Sequence, residues 1–179
     1  MKITNSKVTG GFLRGREIMS PESSETHPMG SRERLAILNS IGPDINGATI
    51  LDLFAGTGAL GIESLSRGAK SVTFVEKHHK TAEILRKNLK VLGVEKSALV
   101  LEKDVKAAQL SDDFDYVFID PPYDKIKDFD IVDILQKFSM AKKIVLSHPK
   151  DVEYGLEGFE KRTKTYAAAA ITIFTSNRS

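Results

Sequence analysis

Asp120-Pro121-Pro122-Tyr123 follows the apolar run Val117-Phe118-Ile119, so a carboxylate, two prolines and an aromatic ring stand where a buried strand ends. In open α/β sheets, ligands bind outside the carboxyl ends of the strands. Two prolines in series keep the backbone extended and stiff beyond the last ladder bond. The Asp120 carboxylate and a proline carbonyl can then accept the two N–H bonds of an exocyclic amino group on a flat base, with the Tyr123 ring stacked on it. An Asp-Pro pair alone reads more simply as a turn after a strand. A second motif argues against that simpler reading.

Ala48-Thr49-Ile50 leads into Leu51-Asp52-Leu53-Phe54-Ala55-Gly56-Thr57-Gly58-Ala59-Leu60-Gly61, a pattern of strand, glycine loop and helix start. Gly56, Gly58 and Gly61 match G-x-G-x-x-G, and Glu76 closes the run Ser71-Val72-Thr73-Phe74-Val75 about twenty residues on, as in a dinucleotide site. Asp52 separates the possibilities. A carboxylate four residues before the first glycine would lie beneath a pyrophosphate and repel it. S-adenosylmethionine carries a sulfonium and an ammonium and no phosphate, so Asp52 and the loop backbone can hold its methionine end while Glu76 accepts from the ribose hydroxyls. That cofactor is expected over a nicotinamide.

These loops need parallel strands to carry them, and from Ala48 onward β and α patterns alternate as in βαβ units. Strands are expected at 48–53, 71–75, 97–101, 115–119 and 144–147, and helices at 59–67, 78–92 and near 127–138. Ala82, Leu85, Leu89 and Leu92 recur at helical spacing and form core, with Gly93 as stop. Residues 158–165 and 169–175 read as an antiparallel hairpin that finishes the sheet. Ser31 is expected to cap a helix running to about Ser40, with Leu35, Leu38 and Ile41 on its apolar face. Before it, residues 1–20 hold Lys2, Lys7, Arg14 and Arg16 with no acid among them until Glu17, a basic hairpin whose expected partner is phosphate. Pro21 to Pro28 reads as a flexible linker.

The fold expected is a Rossmann-like, mostly parallel seven-stranded sheet with a C-terminal antiparallel hairpin and a small N-terminal β-hairpin extension. The division expected is 1–30 as basic hairpin and linker and 31–179 as the catalytic domain. At 179 residues with 41% apolar content and a formal charge of +2, the chain suits one domain with a real core. It has no cysteine, which removes thiolate catalysis and cysteine zinc sites, and its four histidines show no metal-ligand spacing. Neither a membrane span nor an apolar signal core is present, so a cytoplasmic protein without metal is expected.

Asp52 to Gly61, Glu76, Asp104 and Asp120 to Tyr123, in this order, resemble the class I adenosylmethionine-dependent methyltransferases over residues 48–179. Arg14-Gly15-Arg16, Pro28, Arg32, Arg34 and Asn39 ahead of Leu51-Asp52-Leu53-Phe54-Ala55-Gly56 extend the resemblance to the whole chain. It is similar to the bacterial small-subunit ribosomal RNA guanine-N2 methyltransferases of the RsmD type. The resemblance implies methyl transfer to the N2 of a guanine in 16S rRNA, free or within the small subunit, by a monomer that releases S-adenosylhomocysteine. It implies catalytic roles for Asp120, Pro121, Pro122 and Tyr123. Cofactor contacts fall to Asp52, Phe54, Ala55, Gly56, Gly58, Glu76, Lys77, Asp104, Val105 and Asp120, with Asp104 receiving the adenine amino group. RNA contacts fall to Lys7, Arg14, Arg16, Arg32 and Arg34. The chain departs from the family at His27-Pro28-Met29, at Leu35 and Leu38, and in the alanines 167–170, onto which no role is carried.

Two other functions use parts of the same pattern. An adenine-N6 or cytosine-N4 DNA methyltransferase shares the Asp-Pro-Pro-Tyr loop, but only a short arm and tail are left here to read base edges. A non-catalytic, cofactor- and RNA-binding assembly factor would have no use for an intact loop.

Overall fold

A computed structural model describes residues 3–21, 30–166 and 169–178. The linker expected between Pro21 and Pro28 lies, after Pro21, outside the described residues, as do alanines 167 and 168. The chain forms two compact units, Met1–Ala108 and Gln109–Ser179.

In the first unit, β1 (Ile3–Lys7) and β2 (Glu17–Pro21) pair antiparallel with Lys7 opposite Glu17. The hairpin is anchored by apolar residues, since Val8, Leu13 and Ile18 are buried. The helix α1 (Ser31–Ile41) has Gly30 at its cap position, so Ser31 is its first helical residue and caps nothing. Its buried stripe is Arg34, Ile37, Leu38 and Ile41, while Leu35 is 38% exposed. A 3.6-residue repeat explains the correction, because 34, 37, 38 and 41 share one face and 35 points about 100° away.

Three parallel strands follow in the order β5-β4-β3: β3 (Thr49–Asp52), β4 (Ser71–Val75) and β5 (Ala98–Leu101). Between β3 and β4 lies α2 (Ala59–Ser66), buried from Leu60 to Ser66 as its apolar sequence requires. Between β4 and β5 lies α3 (His79–Leu92), which buries Ala82, Leu85, Asn88, Leu89 and Leu92 and ends on left-handed Gly93. Asn88 fastens the hairpin to this helix. Its amide oxygen accepts from Met19 N–H at 3.0 Å, and its Nδ2 donates to the Met19 carbonyl at 2.9 Å and the Thr57 carbonyl at 3.0 Å.

The second unit holds β6 (Tyr116–Ile119), β7 (Lys143–Pro149), β8 (Phe159–Thr165) and β9 (Ala169–Ser176) in the order β6-β7-β9-β8. β6 and β7 run parallel, and β9 is antiparallel to both β7 and β8. These are the seven strands, mostly parallel with a C-terminal hairpin, that the alternating pattern predicts. One helix differs. Where a single helix is expected near 127–138, a 3₁₀ run covers Tyr123–Asp128 and the α-helix, α4, spans only Ile131–Lys137. Asp130 restarts the chain as a cap, accepting from Asp133 N–H at 2.9 Å.

Candidate active site

In the first unit, acids follow the carboxyl ends of all three parallel strands. Asp52 is the last residue of β3 and 3% exposed, Glu76 comes directly after β4 and is 8% exposed, and Asp104 lies three residues beyond β5, partly exposed. Neighbouring strands are about 4.8 Å apart, so this edge concentrates negative charge. That charge suits a cationic ligand and opposes a pyrophosphate.

Glu76 organises the glycine loop. Its Oε2 accepts from Gly56 N–H at 2.9 Å and its Oε1 from His78 N–H at 2.7 Å. Each oxygen retains a lone pair, so ribose hydroxyls can be received without breaking either bond. The loop is closed by Ala55 N–H to the Val75 carbonyl at 3.0 Å and Gly58 N–H to the Ala55 carbonyl at 2.8 Å.

The three glycines of the motif serve different ends. A Cβ on Gly58 would stand 2.2 Å from Leu85 Cδ1 and one on Gly61 2.3 Å from Phe74 Cε1, so both are glycines because a helix and a strand pack against them. Gly56, at φ +54, has no atom within 4 Å of its Cβ direction. Open space beside a left-handed backbone is what close approach of a ligand needs. Phe54 is partly buried and Ala55 buried beside it.

Asp104 caps the short 3₁₀ turn Val105–Ala107. Its Oδ1 accepts from Lys106 N–H at 3.0 Å, and Lys77 Nζ lies 3.8 Å from its Oδ2. A capping role and a ligand role coexist on a carboxylate with about four lone-pair sites.

In the second unit, Asp120 follows β6 and is partly buried, Pro121 is buried, and Pro122 and Tyr123 are partly buried. Burial pushes the Asp120 carboxyl up to about 6, and the hydrogen bond from Ser147 opposes that rise. The Pro122 carbonyl is occupied by Lys125 N–H at 3.0 Å. Among the described residues, no hydrogen bond reaches the Pro121 carbonyl. Two acceptors on adjacent residues can in principle receive the two hydrogens of an amino group. Tyr123 Oη lies 2.5 Å from Ser147 Oγ.

The basic residues divide. Lys7, Arg14, Arg16 and Arg32 are exposed. Arg34 is 3% exposed, its Nε 3.5 Å from Glu63 Oε2 and its Nη2 donating to the Lys7 carbonyl at 3.3 Å and Ser31 Oγ at 3.2 Å. The RNA contact expected of Arg34 is therefore corrected: its guanidinium is spent inside the fold. The loop bearing Arg14 is pinned to the last residue of α2 by Phe12 N–H to the Ser66 carbonyl at 2.8 Å and Leu13 N–H to Ser66 Oγ at 2.9 Å. The glycine loop enters the other end of that helix, about 12 Å away for eight residues.

Sequence reasoning missed two residues. Glu63, fully buried, receives Arg34, Arg67 and both the N–H and the hydroxyl of Thr9. Its signal was a lone carboxylate in the apolar helix Ala59-Leu60-Gly61-Ile62-Glu63-Ser64-Leu65-Ser66. Ser147 gave only the faint signal of a hydroxyl ending Ile144-Val145-Leu146.

The family model described as "Conserved hypothetical protein 95" matches residues 6–175. The "Putative rRNA methyltransferase YlbH" of Bacillus subtilis (strain 168) is 34% identical over 94% of this chain and 97% of its own length. The "Ribosomal RNA small subunit methyltransferase D" of Escherichia coli (strain K12) is 32% identical over 84% of this chain and 77% of its own. Among solved structures, the "Putative methyltransferase yhhF from Escherichia coli" superposes with a TM-score of 0.84 at 26% identity, covering 97% of this chain and 98% of its own. With its strand order, its glycine loop and a family match over nearly its whole length, the chain belongs to that family, the RsmD-type methyltransferases.

Proposed function

We propose that the protein transfers a methyl group from S-adenosylmethionine to the exocyclic N2 of a guanine in small-subunit ribosomal RNA. The observation that carries this reading is the pair of adjacent acceptors, the Asp120 carboxylate and the Pro121 carbonyl, beside the ring of Tyr123. The names of its relatives support ribosomal RNA as the substrate class.

When bound, adenosylmethionine supplies a methyl carbon on a cationic sulfur that leaves as a neutral thioether. Asp52, Glu76 and Asp104 would hold it by its ammonium, ribose and adenine groups, with Phe54, Ala55, Gly58, Lys77 and Val105 around them. The attacking nitrogen is a poor nucleophile because its lone pair is shared with the ring. Hydrogen bonds to Asp120 and Pro121 localise that pair, and the carboxylate stabilises the charge that grows on nitrogen. With the donor bound, the nitrogen–carbon bond would form as the carbon–sulfur bond breaks, and the nitrogen would then release one proton to solvent. Alignment supplies much of the acceleration.

A carboxyl that titrates near 6 is largely ionised at pH 7.5, as this role requires. The base must come from a loop or be flipped out, and stacking on Tyr123 offsets part of its lost stacking. Residues 1–30 serve in this reading as an RNA-binding extension of a catalytic domain at 31–179, with Lys7, Arg14, Arg16 and Arg32 on phosphates.

Nucleoside mass spectrometry tests the reading, using labelled adenosylmethionine with unmodified small subunits, their naked RNA, or genomic DNA. N2-methylguanosine in ribosomal samples, absent with Asp120→Ala, is the expected result. Label in DNA as N6-methyladenine would replace the substrate, and no label anywhere would remove the activity.

A further inference from the structure

We propose that Ser147 on β7 is a positioning residue for methyl transfer, orienting Asp120 and Tyr123 with one shared hydroxyl. The inference rests on the function proposed above.

Ser147 is 2% exposed and ends the apolar run Ile144-Val145-Leu146. A hydroxyl buried there must be satisfied by hydrogen bonds. Among the described residues it has two partners: the Asp120 carboxylate and Tyr123 Oη, the latter at 2.5 Å. Serine has one hydrogen to give and two lone pairs to receive with, whereas an ionised carboxylate only accepts. The Ser147 hydrogen therefore goes to Asp120, and the Tyr123 hydroxyl donates to Ser147 Oγ. The chain Tyr123 to Ser147 to Asp120 fixes two groups at once, turning the phenol tip inward and holding the carboxylate oxygen that faces Ser147. The second carboxylate oxygen is left for the substrate amino group.

The backbone behind Ser147 is firm. In the parallel ladder Ile119 stands opposite Leu146, so the next residues, Asp120 and Ser147, leave the ladder side by side. On its other flank Ser147 is paired with Ile171 of β9. The following residue, His148, is 2% exposed and held by Thr172 Oγ1 at 2.8 Å from Nε2 and the Pro149 carbonyl at 2.9 Å from Nδ1. Thr163 Oγ1 lies 2.8 Å from Thr172 Oγ1, which extends the lock to β8. Asp120 and Tyr123 lie just past a strand end, whereas Ser147 belongs to a strand paired on both sides. Supporting groups of this kind hold a reactive constellation in its productive geometry.

The test compares wild type, Ser147→Ala, Ser147→Thr and Ser147→Cys in full-length protein, measuring kcat and KM on small-subunit RNA from pH 5 to 9, with cofactor affinity and thermal stability alongside. Ser147→Ala should lower kcat roughly 10- to 100-fold through misplacement of the reacting groups. It should also move the acidic limb of the rate profile upward by roughly one pH unit, because a hydrogen bond that favours the ionised carboxyl is gone. Cofactor affinity should stay within about twofold, and Ser147→Thr should recover both effects. If Ser147→Ala does not fold, Ser147→Cys, a weak donor of similar size, should show the same two changes in smaller measure. An unchanged kcat, or a lower kcat with the limb unmoved, would overturn the inference while wild-type transfer keeps the functional reading intact. A wild type that methylates no RNA would overturn both.

Discussion

Glu63 and Asp120 are both carboxylates set among apolar residues, and they are treated in opposite ways. Glu63, in α2, is fully buried and takes an ion pair from Arg34, another from Arg67, each at 3.5 Å, and two hydrogen bonds from Thr9. Asp120 receives a hydroxyl from Ser147 and, among the described residues, no cation, and its carboxyl rises to about 6. A buried charge that is paired and fully hydrogen-bonded is architecture: it ties the hairpin, α1 and α2 into one unit. A part-buried carboxylate that no cation pairs among the described residues is held away from its ionised state, which is where reactivity is stored.

The largest expected effect lies on the architectural side. Removing Glu63 takes the counterion from the buried Arg34 and the part-buried Arg67, so Glu63→Ala should cost about 3–5 kcal/mol of folding stability, seen as a lower urea midpoint. A midpoint within error of wild type would dissolve the contrast. On the other side, Asp120→Ala should lower kcat by about 10²–10³-fold or more with cofactor affinity nearly unchanged in a direct titration. Equal losses in both would make Asp120 a binding residue.

The third prediction concerns stability and pH. A folded-state carboxyl raised from 3.8 to about 6 favours the protonated form, so wild type is most relieved below pH 4 and loses stability as pH rises through 6. Asp120→Asn should therefore be the more stable protein at pH 8, by on the order of 1–3 kcal/mol, with the difference vanishing near pH 4. Thermal unfolding at the two pH values decides it, and a constant offset would show that the ionised carboxylate carries no such cost.

The smallest effect separates exposed from buried arginines. Losing Arg14 or Arg16 should flatten the dependence of log Kd for RNA on log salt by about 0.7 per lost phosphate contact. Arg34→Ala should lower stability and leave that slope unchanged. A slope altered by Arg34 would return it to the RNA surface.

Much of this was legible in the chain. Alternating apolar segments locate all five internal strands to within two residues, and acids placed after strands mark their carboxyl ends. The misjudged features share a cause: they depend on what lies across from a residue. Ser31 has the residue type of a cap and Leu35 that of core, but type alone fixes neither the start of a helix nor its phase. The 3₁₀ run after Tyr123 escaped because Asp130 restarts the helix locally inside a continuous amphipathic pattern.

The sequence by itself determined the order of strands and helices, the glycine loop, the Asp-Pro-Pro-Tyr loop and the absence of thiol chemistry, since these follow from periodicity, backbone restriction and residue chemistry along the chain. Tertiary structure alone decided which charges are spent and which are kept. Arg34 and Glu63 are twenty-nine residues apart and Asp120 and Ser147 twenty-seven, so each partnership exists only after folding brings them together. Burial sets the cost of a charge and its partner sets the compensation, and neither is a property of a residue's place in the sequence.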